Sequence, residues 1–204
     1  DEQLEFFKKE KPDVVVVVAY GKILPNKLLD IQDIKFINVH ASLLPKWRGA
    51  APMQRSIMNL DHETGITIMK IVEELDAGPI IHQDKIKINE NVDTRSLSKL
   101  LSQLGAKSLI KAMNKIFNGD ISFQEQNHKE ATYAKKISKE EAKINWNNSA
   151  KTILAKINGL NPNPGAWFKY KNQRYKVWKA NVANTSSSPG TIVDKMLTIA
   201  CKEQ

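Results

Sequence analysis

The chain has 204 residues, of which 41% are hydrophobic and 26% charged, and these proportions exclude a wholly disordered chain and indicate one or two globular domains. Its longest apolar run, Val14–Ala19, is much shorter than the ~18 residues of a membrane span. The single cysteine excludes a disulfide within these residues and favours a reducing, cytoplasmic compartment.

The net charge of +9 is concentrated in the second part of the chain. Residues 1–120 hold 17 Lys and Arg against 16 Asp and Glu, whereas residues 121–204 hold 14 against 6. Such asymmetry indicates that the basic part contacts a polyanion, although lysines that only solvate the surface give the same charge. Three tryptophans of this part, Trp146, Trp167 and Trp178, suit either base stacking or a core.

The first 120 residues alternate between helical and strand patterns, which predicts an α/β architecture. Val14–Val18 is β-branched and apolar throughout, and this predicts a central parallel strand covered by helices on both faces. The other predicted elements are helices at Leu4–Lys9, Pro25–Leu29, Ala50–Leu60 and Thr94–Asn118, and strands at Phe36–His40, Gly65–Val72 and Ile80–Ile88, the last antiparallel.

The remaining residues predict a linker and a small β domain. Gly119–Lys139 has few apolar residues and is interpreted as the linker, and a helix is predicted at Ser149–Asn158. Short alternating segments then follow at Ala166–Tyr170, Tyr175–Ala180, Thr191–Val193 and Leu197–Cys201. Short strands separated by turns predict a barrel or a sandwich. We therefore divide the chain into residues 1–120, 121–139 and 140–204.

Three polar residues carry the chemistry that the pattern suggests. Asn38 and His40 lie two residues apart at the end of a predicted strand, so both side chains point to one face at the edge where open parallel sheets bind ligands. Asp76, in a turn after another strand, can meet them there. An amide and an imidazole can stabilise an oxyanion while a carboxylate moves a proton, as acyl transfer requires. A strand-end histidine bonded to the backbone is the structural alternative, and no cluster has metal-ligand spacing.

Several segments closely resemble a known family. The runs NVHASLLPKWRGAAP, residues 38–52, and LDAGPI, residues 75–80, resemble the signatures of folate-dependent formyltransferases. Three later runs resemble the members that act on methionyl-initiator tRNA: ATYAKKI at 131–137, INW at 144–146 and NPNPGA at 161–166. The resemblance implies a truncated Rossmann-like formyltransferase domain followed by a small β-barrel of the oligonucleotide-binding type.

The resemblance also implies a reaction and its partners. A formyl group would pass from 10-formyltetrahydrofolate to the amine of methionine on initiator tRNA by direct attack of the amine, without a metal, in a monomeric protein. Asn38 and His40 would polarise the formyl oxygen, and Asp76 would pair with His40 and assist proton movement. The basic part of the chain would hold the tRNA phosphates.

Two loops would line the folate pocket under this resemblance. The residues are Gly21, Lys22, Ile23 and Leu24 in the first loop and Ser42, Leu43, Leu44 and Pro45 in the second. Lys46 and Arg48 would face tRNA phosphate or the folate tail, or lie in a solvated loop.

The sequence also departs from the family, and rivals remain. It lacks the family's first strand and glycine-bearing loop and ends before a full barrel closes, so we expect a piece of a longer protein that is inactive alone. One alternative is a formyltransferase that acts on glycinamide ribonucleotide, and the basic extension after residue 120 disfavours it. Another is a formyltransferase that acts on an amino-sugar nucleotide. A non-catalytic RNA-binding protein is the alternative from another class, which the intact Asn38, His40 and Asp76 disfavour.

Overall fold

A computed structural model describes residues 2–202, which form a mixed α/β protein, as the sequence predicts. Its elements, in chain order, are α1 (Glu2–Glu10), β1 (Val14–Val18), α2 (Asn26–Leu29), β2 (Lys35–His40), β3 (Arg48–Gly49), α3 (Pro52–Met58), β4 (Glu63–Lys70), β5 (Ile80–Lys87), α4 (Thr94–Phe117), a 3₁₀ turn (His128–Glu130), β6 (Tyr133–Ala134), α5 (Ala150–Leu160), β7 (Ala166–Tyr170) and β8 (Gln173–Val177). Across residues 2–202, even the 24-residue α4 lacks the combination of length and apolar character that a membrane span needs.

The chain divides into two compact units. The first comprises the residues up to 52 with 63–86 and 100–135, and the second comprises 53–62, 87–99 and the residues from 136 onward. A four-stranded sheet of order β1-β2-β4-β5 organises the first unit. β2 runs parallel to β1 and antiparallel to β4, with Asn38 opposite Val17 and His40 opposite Thr67. Ile37 and Ile68 are almost fully buried, so this sheet is a rigid support for the polar residues at the end of β2.

The prediction that β1 is a central, doubly covered strand is wrong for the described residues. Within residues 2–202 β1 lies at the edge of the sheet and pairs with β2 alone. Val16 and Val18 are 37% and 59% exposed, and a cavity of about 630 Å³ lies between α1 and β1. The apolar composition of β1 predicts that the strand is buried. It does not show whether a neighbouring strand or helix is present to bury it.

The core of the second unit is built by α5 and the hairpin β7–β8. Together with the segment before α5, they contribute the buried residues Ala142, Ile144, Ile153, Ile157, Leu160, Ala166 and Trp167. The Trp167 indole N–H donates to the carbonyl of Lys139 at 2.9 Å, so this tryptophan fills a core. Lys171 and Asn172 both have positive φ, as the two-residue turn of a tight hairpin requires.

The C-terminal strands are only partly formed among the described residues. β7 and β8 make a two-stranded sheet, but Thr191–Val193 and Leu197–Cys201 share a single bridge between Ile192 and Ile199. The two strands predicted there are therefore reduced to this one antiparallel bridge, with hydrogen bonds from the Val193 N–H to Thr198 and from the Ala200 N–H to Thr191. Closure into a barrel stays a prediction.

A charged cluster ties α4 to β5 in the first unit. The carboxylate of Asp84 accepts hydrogen bonds from Lys111 Nζ at 2.9 Å, Ser108 Oγ at 2.8 Å and His82 Nε2 at 2.9 Å. Burial raises the pKa of Asp84, but these three donors outweigh it and hold the pKa at about 2 instead of 3.8. His82 therefore belongs to this cluster.

We expect Asp84→Asn to lower the free energy of unfolding at pH 7 by about 1–2 kcal/mol, because the folded state holds the carboxylate ionised more strongly than the unfolded chain does. This stabilisation is present above pH ~4 and disappears as the pH falls toward ~2, so the gap between wild type and variant should shrink on acidification. Urea unfolding at several pH values measures it, with Asp120→Asn as a control at an exposed carboxylate. A gap that stays constant as the pH falls contradicts the assignment.

Candidate active site

Two polar side chains project from the C-terminal end of strand β2. Asn38 and His40 are separated by one residue, so they leave the same face of the strand. His40 is 6% exposed, and it ends the strand beside the buried Thr67 of β4. The carboxyl end of β2 therefore presents an amide and an imidazole to one point.

Asp76 meets both of them from the turn between β4 and β5. Its Oδ1 atom accepts from Asn38 Nδ2 at 3.4 Å, and its Oδ2 atom lies 3.6 Å from His40 Nδ1 and accepts from the backbone N–H of Gly49 at 2.8 Å. The backbone φ of Asp76 is 48°, in the left-handed region that few side chains adopt. The structure thus brings together the three residues predicted from the sequence and holds the backbone of Asp76 in a strained conformation.

The contacts of His40 define its tautomer. Nε2 lies 2.9 Å from the carbonyl oxygen of Trp47, and because a carbonyl only accepts, Nε2 carries the hydrogen. In the neutral ring Nδ1 is then free to take a proton, and it faces the Asp76 carboxylate. An imidazolium formed there would be stabilised by that carboxylate. Across residues 2–202, no three His, Cys, Asp or Glu side chains are grouped so that they could hold a metal ion.

Glycine is required at position 49 by the backbone. Gly49 has a φ of 114°, and a Cβ there would lie 3.0 Å from the carbonyl oxygen of Ala134. This close approach comes from the parallel pairing of β3 with β6, in which Arg48 lies opposite Tyr133. The pairing aims the Gly49 N–H at Asp76, which explains a glycine of the motif that the sequence alone left without a role.

The loop after β2 is fixed by a buried polar network. Thr67 Oγ1 donates to the carbonyl of Ser42 at 2.7 Å and accepts from the N–H of Leu44 at 3.1 Å. Gln83 Nε2 donates to the carbonyl of Leu44 at 2.9 Å and to Thr67 Oγ1 at 2.8 Å. The loop is therefore held from inside by the side chains of Thr67 and Gln83.

The two loops predicted to bind folate begin at the same edge of the sheet. β1 and β2 are parallel, with Val18 opposite Val39, so the residues that follow each strand lie at the edge that carries His40. In the first loop Gly21, Lys22 and Ile23 are exposed and Leu24 is half-buried; in the second, Leu43 and Pro45 are half-buried and Ser42 and Leu44 are buried. Ser42 and Leu44 thus have side chains turned into the fold.

Arg48 does not face a ligand, contrary to the expectation from the sequence. Its side chain is 0% exposed, and Nη1 donates to Glu74 Oε1 at 3.0 Å. Its Nε and Nη2 atoms donate to Gln126 Oε1 at 3.1 and 2.8 Å. Sequence reasoning missed Gln126, because a single glutamine in a polar segment gives no periodic signal. Lys46 is exposed, which is compatible with either of the alternatives given for it.

The second unit presents cations beside aromatic rings on its hairpin. Tyr170, Tyr175 and Trp178 are 47%, 43% and 50% exposed. Lys171 Nζ lies 5.5 Å from the Tyr170 ring centroid, and Lys176 Nζ lies 5.3 Å from that of Trp178. Exposed rings with adjacent cations are typical of surfaces that contact nucleic-acid backbones and bases.

Comparison with known proteins adds two family matches. Residues 1–113 match the family described as Formyl transferase, and residues 136–204 match the family described as Formyl transferase, C-terminal domain. Together the two matches span most of the chain.

Individual relatives are similar over its whole length. The chain is 48% identical over 203 residues to methionyl-tRNA formyltransferase of Pelagibacter ubique (strain HTCC1062), covering 100% of this chain and 66% of that protein. It is 41% identical over 207 residues to methionyl-tRNA formyltransferase of Bradyrhizobium diazoefficiens, covering 100% of this chain and 67% of that protein. The chain therefore spans about two thirds of the length of these relatives.

A solved structure shares the fold. HypX from Aquifex aeolicus, crystallised in complex with tetrahydrofolic acid, aligns with a TM-score of 0.78 and 19% identity over 98% of this chain and 35% of that chain. The match supports the Rossmann-like α/β fold predicted from the sequence.

Proposed function

The chain belongs to the formyl transferase family, and from this premise we propose that it transfers a formyl group from 10-formyltetrahydrofolate to the amine of methionyl-initiator tRNA. The observation that carries the proposal is the meeting of Asn38, His40 and Asp76 at the end of β2. The names of the relatives support the tRNA substrate, and the tetrahydrofolic acid bound by HypX supports the donor.

Asn38 and His40 stabilise the negative charge that develops on the formyl oxygen. The uncharged amine attacks the formyl carbon, and the carbonyl electrons move onto oxygen. Asn38 Nδ2 exchanges its long 3.4 Å contact with Asp76 for a hydrogen bond to that oxygen. His40, held by the carbonyl of Trp47, adds a positive charge beside that oxygen once its Nδ1 shares the proton that the attacking amine gives up to Asp76. Fixed donors of this kind are most effective where charge develops only in the transition state.

Asp76 moves the proton. The attacking nitrogen becomes positive as its bond to the formyl carbon forms, and Asp76 accepts one of its protons and shares it with His40 Nδ1, 3.6 Å away. The bond between the formyl carbon and N10 then breaks, the oxygen regains its double bond, and the proton passes to N10. The products are the formylated amine and tetrahydrofolate, so atoms and charges balance without a covalent enzyme intermediate.

The remaining roles follow from charge and position. Residues 21–24 and 42–45 line the folate cleft at the edge of the sheet, with Leu43 and Pro45 as the accessible part of the second loop. We assign residues 1–120 to catalysis, 121–139 to a linker and 140–204 to tRNA binding. The hairpin cations contact phosphates, so tRNA affinity falls with rising salt.

The test supplies the full-length protein with 10-formyltetrahydrofolate and, in separate reactions, methionyl-initiator tRNA, glycinamide ribonucleotide or an amino-sugar nucleotide. The proposal expects formylation of methionyl-tRNA alone. Consumption of another amine with methionyl-tRNA untouched assigns the protein to a different branch of the family. Binding of tRNA without any transfer supports the non-catalytic alternative.

A further inference from the structure

The backbone of Asp76 is held from behind by one side chain. Gln126 Nε2 donates to the carbonyl oxygens of Asp76 at 2.9 Å and of Gly78 at 2.7 Å. Gln126 is 5% exposed, so these bonds form away from water. A left-handed φ such as that of Asp76 persists only where its surroundings fix it, and these two bonds fix both sides of the peptide turn.

The amide of Gln126 has only one satisfactory orientation. Its Oε1 atom accepts two hydrogen bonds from Arg48, which has donors and no acceptor, so Nε2 must face the carbonyls of the turn. Arg48 is fully buried, and its remaining charge is paired with Glu74. Every polar atom of the Gln126 amide is therefore in use, and the residue has no free group for a substrate.

Gln126 and the segment that contains Arg48 hold Asp76 at its backbone carbonyl and at its carboxylate. Gln126 binds the carbonyl of Asp76, and the residue next to Arg48, Gly49, donates its N–H to the carboxylate at 2.8 Å. The turn packs closely on β4, since a Cβ added at Gly78 would lie 1.9 Å from the carbonyl oxygen of Lys70 and only glycine fits there. The position of the carboxylate relative to His40 thus depends on this buried pair.

We propose that Gln126 is a positioning residue that, anchored by Arg48, keeps the Asp76 carboxylate in reach of His40 and the attacking amine. The inference rests on the proposed function, since it gives Asp76 a role in the reaction. Without the two donors from Gln126, the φ of Asp76 relaxes to a common value and the carboxylate moves away. A displacement of about 1 Å in a reacting group costs about 10²-fold in rate.

The test replaces Gln126 by glutamate in the full-length protein. Gln126→Glu keeps the acceptor for Arg48 and loses both donors to the turn, so we expect kcat for formyl transfer to fall by about 10- to 100-fold with KM for tRNA within about twofold. Gln124→Glu is the matched control, because it makes the same change at an exposed position two residues away. Thermal unfolding checks that the variants fold, and if Gln126→Glu does not, Gln126→Asn is measured instead, because its shorter stem withdraws the amide donors from the turn.

A double-variant comparison separates positioning from a general structural defect. In an Asp76→Ala background, Gln126→Glu should lower kcat no further, because its effect passes through Asp76. A further loss of similar size in that background overturns the inference, as does an unchanged kcat or an increase in KM alone. Wild-type kcat in Asp76→Ala itself overturns the proposed function instead, so the two failures are distinguishable.

Discussion

Replacement of His40 by alanine is expected to lower kcat for formyl transfer by about 10³- to 10⁴-fold, because it removes both the proton-accepting Nδ1 and the positive charge next to the oxyanion. The imidazole is 6% exposed, is hydrogen-bonded through Nε2 and faces the Asp76 carboxylate with Nδ1, so no water or neighbouring side chain replaces it. Single-turnover assays with saturating methionyl-tRNA measure this loss.

Binding of methionyl-tRNA should be retained in the His40→Ala variant. The tRNA is held through the basic second part of the chain, so we expect its dissociation constant to stay within about twofold of wild type. His62→Ala removes an exposed histidine and serves as the matched control with unchanged kcat. A His40→Ala variant that transfers formyl groups within about tenfold of the wild-type rate contradicts the mechanism.

The second large effect is expected at Asp76. Asp76→Asn keeps the size of the side chain and an oxygen for the N–H of Gly49, but it removes the charge that faces His40. The new amide also points a donor at either His40 or the amide of Asn38. We expect kcat to fall by about 10²- to 10³-fold, since the proton of the attacking amine loses its acceptor.

Glu73→Gln provides the control for Asp76→Asn. Glu73 lies in the same turn and is exposed, so the control removes one negative charge without touching the site. Initial-rate measurements should give wild-type kcat for Glu73→Gln. An increase in KM without a decrease in kcat in Asp76→Asn would mean that the carboxylate binds substrate and moves no proton.

The sequence could predict the part of the site that follows from strand geometry. Alternation along a strand places Asn38 and His40 on one face, and the end of a strand is where such sheets bind ligands. Asp76 could be proposed as a partner, but the 3.4 Å contact with Asn38 across 38 positions required the fold. Local patterns predict such elements well because they depend on neighbouring residues only.

The features that the sequence did not predict depend on contacts between residues far apart in the chain. Arg48 looked like a surface cation, but it is buried and donates hydrogen bonds to Gln126, 78 positions away, in a segment interpreted as a linker. β1 is apolar enough for a central strand, yet within residues 2–202 it pairs on one side only. Whether a charge is buried or an apolar strand is exposed depends on which distant segments pack against it. A local sequence pattern does not contain that information.

The central claim is that Asn38 and His40 act on one reactive carbonyl while Asp76 serves the amine. The most direct measurement is a crystal structure of the full-length protein with a 10-formylfolate analogue whose formyl group cannot be transferred. We predict that the formyl oxygen lies within about 3.2 Å of Asn38 Nδ2 and next to the His40 ring, with Asp76 on the open side of the formyl carbon. A formyl group bound out of reach of both side chains would contradict the proposed mechanism.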